Sequence, residues 1–276
     1  DVFGYDSFRH PQEDVIASVL AGRDAFALMP TGGGKSLCFQ IPSIVLEGTG
    51  LVVSPLIALM DDQVATLRQA GVRAGALHSG VPFEEIVRIE RDFRSGDLDL
   101  LYVAPERALK DGFSDFLRQG KLALFAIDES HCVSQWGHDF RKEYLDIPSL
   151  MRQFPDVPRL ALTATADPPT QKEILSRLEL RDPGVFTRTM DRPNLFYRIS
   201  PKDDPHEQLV RFVRERHEGH AGIVYRTSRK SVEACQAYLV KHGIPALCYH
   251  AGLSSETKRE NLQRFVRDEG VVMVAT

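Results

Sequence analysis

The apolar and polar positions of this chain fall into two alternating rhythms. Short, nearly unbroken apolar runs cover residues 24–29, 50–53, 98–103, 122–127 and 159–162. Runs of this length without a polar face predict parallel strands buried on both sides. The intervening segments predict helices over 36–46, 59–70, 82–94 and 169–178. Strand and helix in alternation is the grammar of βαβ crossovers, so the expected fold is a doubly wound α/β sheet.

The rhythm fails over residues 181–205, where DRPNLFYRISPKDDP is rich in Pro and Asp. A second alternation follows: strand 221–225, helix 228–241, strand 245–249, helix 256–267 and strand 271–274. A domain boundary is expected near residues 190–200, dividing the chain into 1–193 and 194–276. The second unit is shorter and stops within a strand, at VVMVAT. The two share a βα rhythm but no evident residue-level repeat.

A length of 276 residues accommodates one large domain or two ordinary ones. Hydrophobic content of 43% and charged content of 26% are those of a soluble globular protein. No apolar run approaches the roughly 18 residues of a membrane span, and the polar N-terminus has no signal-peptide pattern. The four cysteines, Cys38, Cys132, Cys235 and Cys248, lack zinc-site spacing. A reduced, intracellular protein without a zinc site in these residues is expected. The net charge of −4 opposes non-specific attraction to a polyanion but leaves room for a local basic groove.

Candidate chemistry begins at MPTGGGKS, residues 29–36. It lies between a strand and a helix. Gly32, Gly33 and Gly34 free the backbone N–H groups after Pro30 and Thr31 to surround an anion, and the helix start adds unpaired N–H groups. Lys35 can reach outer phosphates and Ser36 can present its hydroxyl to Mg²⁺. Met29 replaces the first glycine of the usual pattern, and a plain glycine turn also fits these residues alone. The second element is DESH, residues 128–131, at the end of an apolar strand. Carboxyl ends of buried parallel strands face the ligand crevice. Asp128 is placed to hold Mg²⁺ and Glu129 to orient an attacking water. A solvated acidic loop is the alternative for such a pair, but it does not account for a phosphate loop in the same sheet.

The paired motifs resemble those of superfamily 2 helicases, and a wider set resembles the RecQ family. FGYDSFRHPQ (3–12) is similar to its adenine-reading segment, SPLIALMDDQV (54–64) to a motif on the DNA path, and YVAPER (102–107) follows. DESHCVSQWGHDFRKEY (128–144) resembles a DEAH box running into an aromatic-rich loop, and LTATA (162–166) the coupling motif. GIVYRTSRK (222–230) and YHAGL (249–253) resemble the first motifs of the second motor domain. The match covers essentially the whole chain, in family order. It implies two RecA-like doubly wound parallel-sheet domains, the second incomplete at its C-terminus, and an ATP-dependent DNA helicase moving 3′ to 5′ on single-stranded DNA in repair and recombination. ATP and Mg²⁺ are the implied cofactors. Single-stranded and partly duplex DNA are the implied partners, with a single-strand-binding protein implied by family membership.

Residue by residue, the resemblance implies adenine contacts from Tyr5, Arg9 and Gln12. It implies a link by His131 from Glu129 to the segment holding Thr163 and Thr165, and DNA contacts from Trp136, His138, Phe140, Arg141 and Arg226. Stacking of bases on Trp136 and Phe140 is worth roughly 1–3 kcal/mol per base. Ser130 replaces a usual Ala, and Arg226 stands where relatives often have Cys. VVMVAT resembles the start of the fifth motif, so the sixth, with its transition-state arginine, is expected beyond residue 276, as are zinc-binding and winged-helix domains. Without that arginine, a nucleotide-dependent nucleic-acid clamp describes these residues better. An RNA-remodelling superfamily 2 ATPase is a further alternative. A transporter-type ATPase is disfavoured because no signature loop is present.

Overall fold

The computed structural model describes residues 2–134, 140–189 and 194–276, the side chain of Ser255 excepted. The chain separates into two compact units, Asp1–Arg192 and Pro193–Thr276.

The first unit runs α1 (Gln12–Leu20), β1 (Ala25–Leu28), α2 (Leu37–Val45), β2 (Thr49–Val53), α3 (Ile57–Gln69), β3 (Ala74–Leu77), α4 (Phe83–Ser95) and β4 (Leu100–Val103). It continues through α5 (Pro105–Ala108), α6 (Phe113–Leu117), β5 (Leu122–Ile127), α7 (Ile147–Met151), β6 (Arg159–Thr163), α8 (Pro168–Arg177) and β7 (Gly184–Thr187). The seven strands form one sheet in the order β3-β4-β2-β5-β6-β1-β7. Every pairing in it is parallel.

Both faces are covered, and period-two alternation sorts the side chains. Ala25, Ala27 and Met29 pack with Val15 and Val19 of α1, Phe39 of α2, and Met60, Val64 and Leu67 of α3. Phe26 and Leu28 pack on the other face with Ile89 and Phe93 of α4, Phe116 of α6, Ile147 of α7 and Ile174 of α8. This double burial is why the strands read as continuous apolar runs.

Two strands escaped the sequence reading, and both are edges. β3 is AGAL, whose small residues carry little β signal. Gly75 within it is required by packing, since a Cβ there would meet Ile89 Cγ1 at 2.9 Å. β7 alternates between half-buried and exposed positions and lies beyond β1.

At the amino end of the sheet, Asp24 holds three segments together. Its carboxylate accepts the Arg159 N–H (2.9 Å), the Arg181 N–H (2.7 Å) and the Arg181 guanidinium (3.0 Å). The Asp24 side chain is 1% exposed.

The second unit contains α9 (Pro205–Arg216), β8 (Gly222–Tyr225), α10 (Arg229–Lys241), β9 (Ala246–Tyr249), α11 (Ser255–Arg267) and β10 (Val272–Ala275). Its strands form a parallel sheet in the order β8-β10-β9. Val210, Val232, Cys235 and Leu239 pack on one face, and Phe265 lies against Leu247 and Met273 on the other. Helix starts are set by side-chain caps. Asp204 accepts from the Glu207 N–H, and Ser228 forms a capping box with Ser231.

The β8–α10–β9–α11–β10 succession repeats β2–α3–β3–α4–β4, with the same strand order. The likeness reaches single residues. β3 is followed by His78-Ser79-Gly80 and β9 by His250-Ala251-Gly252. In each turn the glycine N–H donates to the histidine Nδ1, at 3.1 and 3.2 Å. Nε2 then faces a carboxylate of the preceding helix, Asp61 at 2.9 Å and Glu233 at 3.4 Å. Sequence comparison missed this correspondence because two matched residues per turn do not stand out.

Replacing Asp24 by Ala leaves the buried Arg159 N–H and the part-buried Arg181 N–H without this acceptor and is expected to lower unfolding stability by about 3 kcal/mol. Asp24→Asn, which keeps one acceptor, should cost less. Urea unfolding of both variants checks the order.

Candidate functional site

The motifs converge at the carboxyl edge of the first sheet. β5 and β1 flank β6, with Leu28 level with Thr163 and Ile127 level with Ala161. The strands deliver Asp128, Met29 and Thr163 to one edge, where the phosphate-loop, DESH and LTATA segments begin.

The phosphate loop is a compact turn. The Gly33 N–H donates to Pro30 O at 2.9 Å. Gly32 and Gly34 have φ of 74° and 81°, a region that favours glycine. A Cβ on Gly33 would lie 2.8 Å from Pro30 O. Thr31 and Gly32 are exposed, Gly33 is buried, and Gly34, Lys35 and Ser36 are half-buried. Lys35 Nζ donates to Met29 O at 3.3 Å, folding the ammonium back over the base of the loop.

Arg9 and Gln12 grip this loop. The Arg9 N–H donates to Gln12 Oε1 (2.7 Å), Gln12 Nε2 to Gly34 O (3.0 Å) and Arg9 Nη1 to Gly32 O (3.2 Å). Their polar ends are therefore turned to loop carbonyls as well as lining the adjacent cavity. That cavity, of 500 Å³, is bounded by Phe3, Tyr5, Phe8, Leu37, Ile41 and Ile44. Its size and apolar lining suit a small aromatic molecule. Tyr5 lines it and is 67% exposed as a residue.

Asp128 is 6% exposed. Burial raises its pKa to about 6, the neighbouring Glu129 charge adds to the rise, and the Glu129 N–H and Lys35 oppose it. The Glu129 N–H lies 3.0 Å from Asp128 Oδ1. Tyr144 Oη donates to Asp128 O at 2.9 Å, a contact to the strand end that sequence reasoning missed although Tyr144 closes the quoted motif. Glu129 has φ 47°, strained for a residue with a side chain. The strain is held by a 3-10 turn over Ser130–Val133 and the Cys132 N–H to Glu129 O bond of 2.9 Å.

His131 joins the motifs. Its Nδ1 lies 2.8 Å from Thr163 Oγ1 and 3.3 Å from Glu129 Oε2. Thr163 Oγ1 in turn receives the Thr165 N–H at 3.2 Å. Lys35, Asp128, Glu129, His131, Thr163 and Thr165 are thus gathered at one edge.

Of the residues expected to meet DNA, Trp136 and His138 lie outside the described residues. Phe140 is 39% exposed. Arg141 donates to Pro55 O at 3.2 Å, and its N–H to Cys132 O at 2.9 Å. Arg226 belongs to the second unit, half-buried, with Nη2 3.2 Å from Cys235 Sγ. Among the described residues no group of three or more His, Cys, Asp or Glu side chains is placed to hold a metal. Nor is any helix long and apolar enough to cross a membrane.

Residues 9–174 match the DEAD/DEAH box helicase model, and residues 204–276 match the helicase conserved C-terminal domain. The chain belongs to the DEAD/DEAH box helicases. Within that family, the RecQ resemblance is borne out over the full span. The ATP-dependent DNA helicase RecQ of Haemophilus influenzae is 46% identical over 275 residues, covering 100% of this chain and 44% of the relative. The Bacillus subtilis protein of the same name is 40% identical over 277 residues, covering 99% and 46%. The chain therefore spans less than half the length of these relatives. Among solved structures, the helicase MrfA bound to DNA is similar with a TM-score of 0.74 at 17% identity, over 99% of this chain and 43% of that one. The DEAD-box helicase Mss116 bound to single-stranded RNA matches with a TM-score of 0.72 at 17% identity, over 99% and 62%. These likenesses establish the fold, and with it the expected parallel-sheet α/β architecture of RecA-like helicases.

The folded Asp128 carboxyl keeps its proton to about pH 6, whereas an unfolded aspartate releases it near about 3.9. Stability from the neutral form is thus fully present below about pH 4 and lost as pH rises through about 6. Asp128→Asn should therefore stabilise the ligand-free protein by on the order of 2 kcal/mol at pH 8 and by little at pH 4. Denaturant melts of parent and variant across that range measure the gap.

Proposed function

We propose that the protein carrying this chain is an ATP-driven DNA helicase of RecQ type. In this reading it hydrolyses ATP at the first unit's carboxyl edge, moves 3′ to 5′ on single-stranded DNA and parts duplex DNA during repair and recombination. The observation that carries the reading is the Glu129–His131–Thr163 chain standing beside Lys35 and the buried Asp128. The full-span kinship with RecQ proteins supports it.

In this reading the base enters the cavity beside Tyr5, with Arg9 and Gln12 holding the loop beneath it. The Thr31–Gly34 backbone receives phosphate oxygens, and Lys35 exchanges Met29 O for a phosphate. The donor set fits Mg²⁺, which takes one or two protein oxygens and completes its shell with phosphates and water. Asp128, whose burial favours a cation opposite it, and the Ser36 hydroxyl would hold that ion. Bound there, Mg²⁺ would neutralise phosphate charge. Glu129 orients the attacking water, and His131 fixes the Glu129 carboxylate while its other contact reports to Thr163 and Thr165. Phe140 and Arg141, together with Trp136, His138 and Arg226, are the proposed DNA contacts. Single-stranded and partly duplex DNA are the proposed nucleic-acid partners.

ATP turnover by the intact protein, measured with and without single-stranded DNA, tests the proposal. Turnover should rise with DNA, and Lys35→Ala should reduce it by about a hundredfold or more. Turnover indifferent to DNA would overturn the helicase assignment.

A further inference from the structure

A hydrogen-bond chain, buried at Gln40 and Tyr102 and half-buried at Gln63, crosses the face of the first sheet that carries α1–α3. Gln40 Nε2 on α2 donates to Tyr102 Oη on β4 at 3.2 Å. Tyr102 Oη donates to Gln63 Oε1 on α3 at 2.8 Å. Gln40 is 7% exposed and Tyr102 is 1% exposed. The hydroxyl thus accepts from one helix and donates to the next, so its single proton is fully committed. Phe39, Met60, Val64 and Leu67 share one apolar cluster with Tyr102, with Phe39 edge-on to the Tyr102 ring at 6.1 Å. A polar chain in such a setting is favourable only when every member is satisfied, so it resists independent movement of its ends.

The two ends lie near different chemistry. Gln40 sits in the helix that begins directly after Ser36, and both line one cavity with Gly34 and Gln63. Gln63 sits in α3, whose first turn exposes Leu56 at 41%, Ile57 at 37% and Leu59 at 37%. The carbonyl of Pro55, just before that turn, is held by Arg141, which leads out of the aromatic-rich loop. A shift of α3 relative to α2 must stretch or break a bond at Tyr102.

We propose that Gln40–Tyr102–Gln63 is a positioning relay that couples the phosphate loop to the nucleic-acid face at the start of α3, with Tyr102 as its pivot. None of the three acts on the reacting atoms in this role. The relay rests on the helicase reading above, and makes the position of α3 depend on whether nucleotide occupies the loop. Coupling of this kind is reciprocal: nucleotide changes DNA affinity by the same factor as DNA changes nucleotide affinity.

The test is that coupling factor. Binding of a labelled oligothymidylate to the intact protein is measured with and without a nonhydrolysable ATP analogue and Mg²⁺. The parent should show a ratio of dissociation constants of about fivefold or more, and Tyr102→Phe, which removes only the hydroxyl, should bring it within about twofold of unity. Nucleotide affinity without DNA should stay close to that of the parent, while the melting temperature should fall by a few degrees because Gln40 Nε2 loses its acceptor. Gln40→Met cuts only the α2 side and should reduce the ratio as well, and the double variant should do no more than Tyr102→Phe alone. It also serves as the test should Tyr102→Phe fail to fold. A parental ratio retained in either folded variant would overturn the relay. DNA-independent turnover in the parent would instead overturn the helicase reading itself.

Discussion

Burying one carboxylate beside another is unfavourable unless a cation stands opposite, and the site around Asp128 is organised by that constraint. Parallel strands bring Asp128 to the same edge as the phosphate loop, two strand positions away across β6. Lys35 reaches back over the loop base and partly offsets the cost, yet burial still holds the Asp128 pKa at about 6. A ligand-free site of this kind is unsatisfied electrostatically. In the proposed reading, a divalent cation would relieve that cost.

The neighbours of Asp128 are fixed from several directions. Tyr144 anchors its carbonyl, and Glu129 is held in a left-handed conformation that a non-glycine residue rarely adopts. That geometry turns the Glu129 carboxylate towards His131, and His131 towards Thr163. From the same turn, Ser134 Oγ reaches Glu173 Oε2 on α8 at 2.5 Å, and the Arg141 N–H returns to Cys132 O. Both stalks of the aromatic-rich loop therefore root beside the Asp128–Glu129 turn, and Arg141 extends the connection to Pro55. Within the first unit, the proposed nucleotide edge and the proposed nucleic-acid face are parts of one hydrogen-bonded body.

Much of this was legible in the residues. The strand at 122–127 and the acidic pair that follows it were readable because a strand buried on both faces must be apolar and must end where polarity begins. The glycine-rich segment was readable as a strand-to-helix turn because successive glycines separate an apolar strand from a helix start. Edge strands β3 and β7 were not legible, because an edge needs neither continuous apolarity nor strong β formers. The Gln12 grip on Gly34, the Tyr144 anchor and the relay at Tyr102 were also hidden, since each joins residues remote in sequence whose types are ordinary.

Sequence alone determined the alternation of strands and helices, the division into two βα units, and where the glycine-rich and acidic segments follow their strands. Those features rest on local periodicity and on residue types with few other uses. Tertiary structure alone decided which strand ends became neighbours, how deeply Asp128 was buried, and which hydroxyl His131 would meet. Strand order and burial arise from packing across the whole sheet, and no spacing along the chain encodes the dielectric that a carboxylate will find at its end.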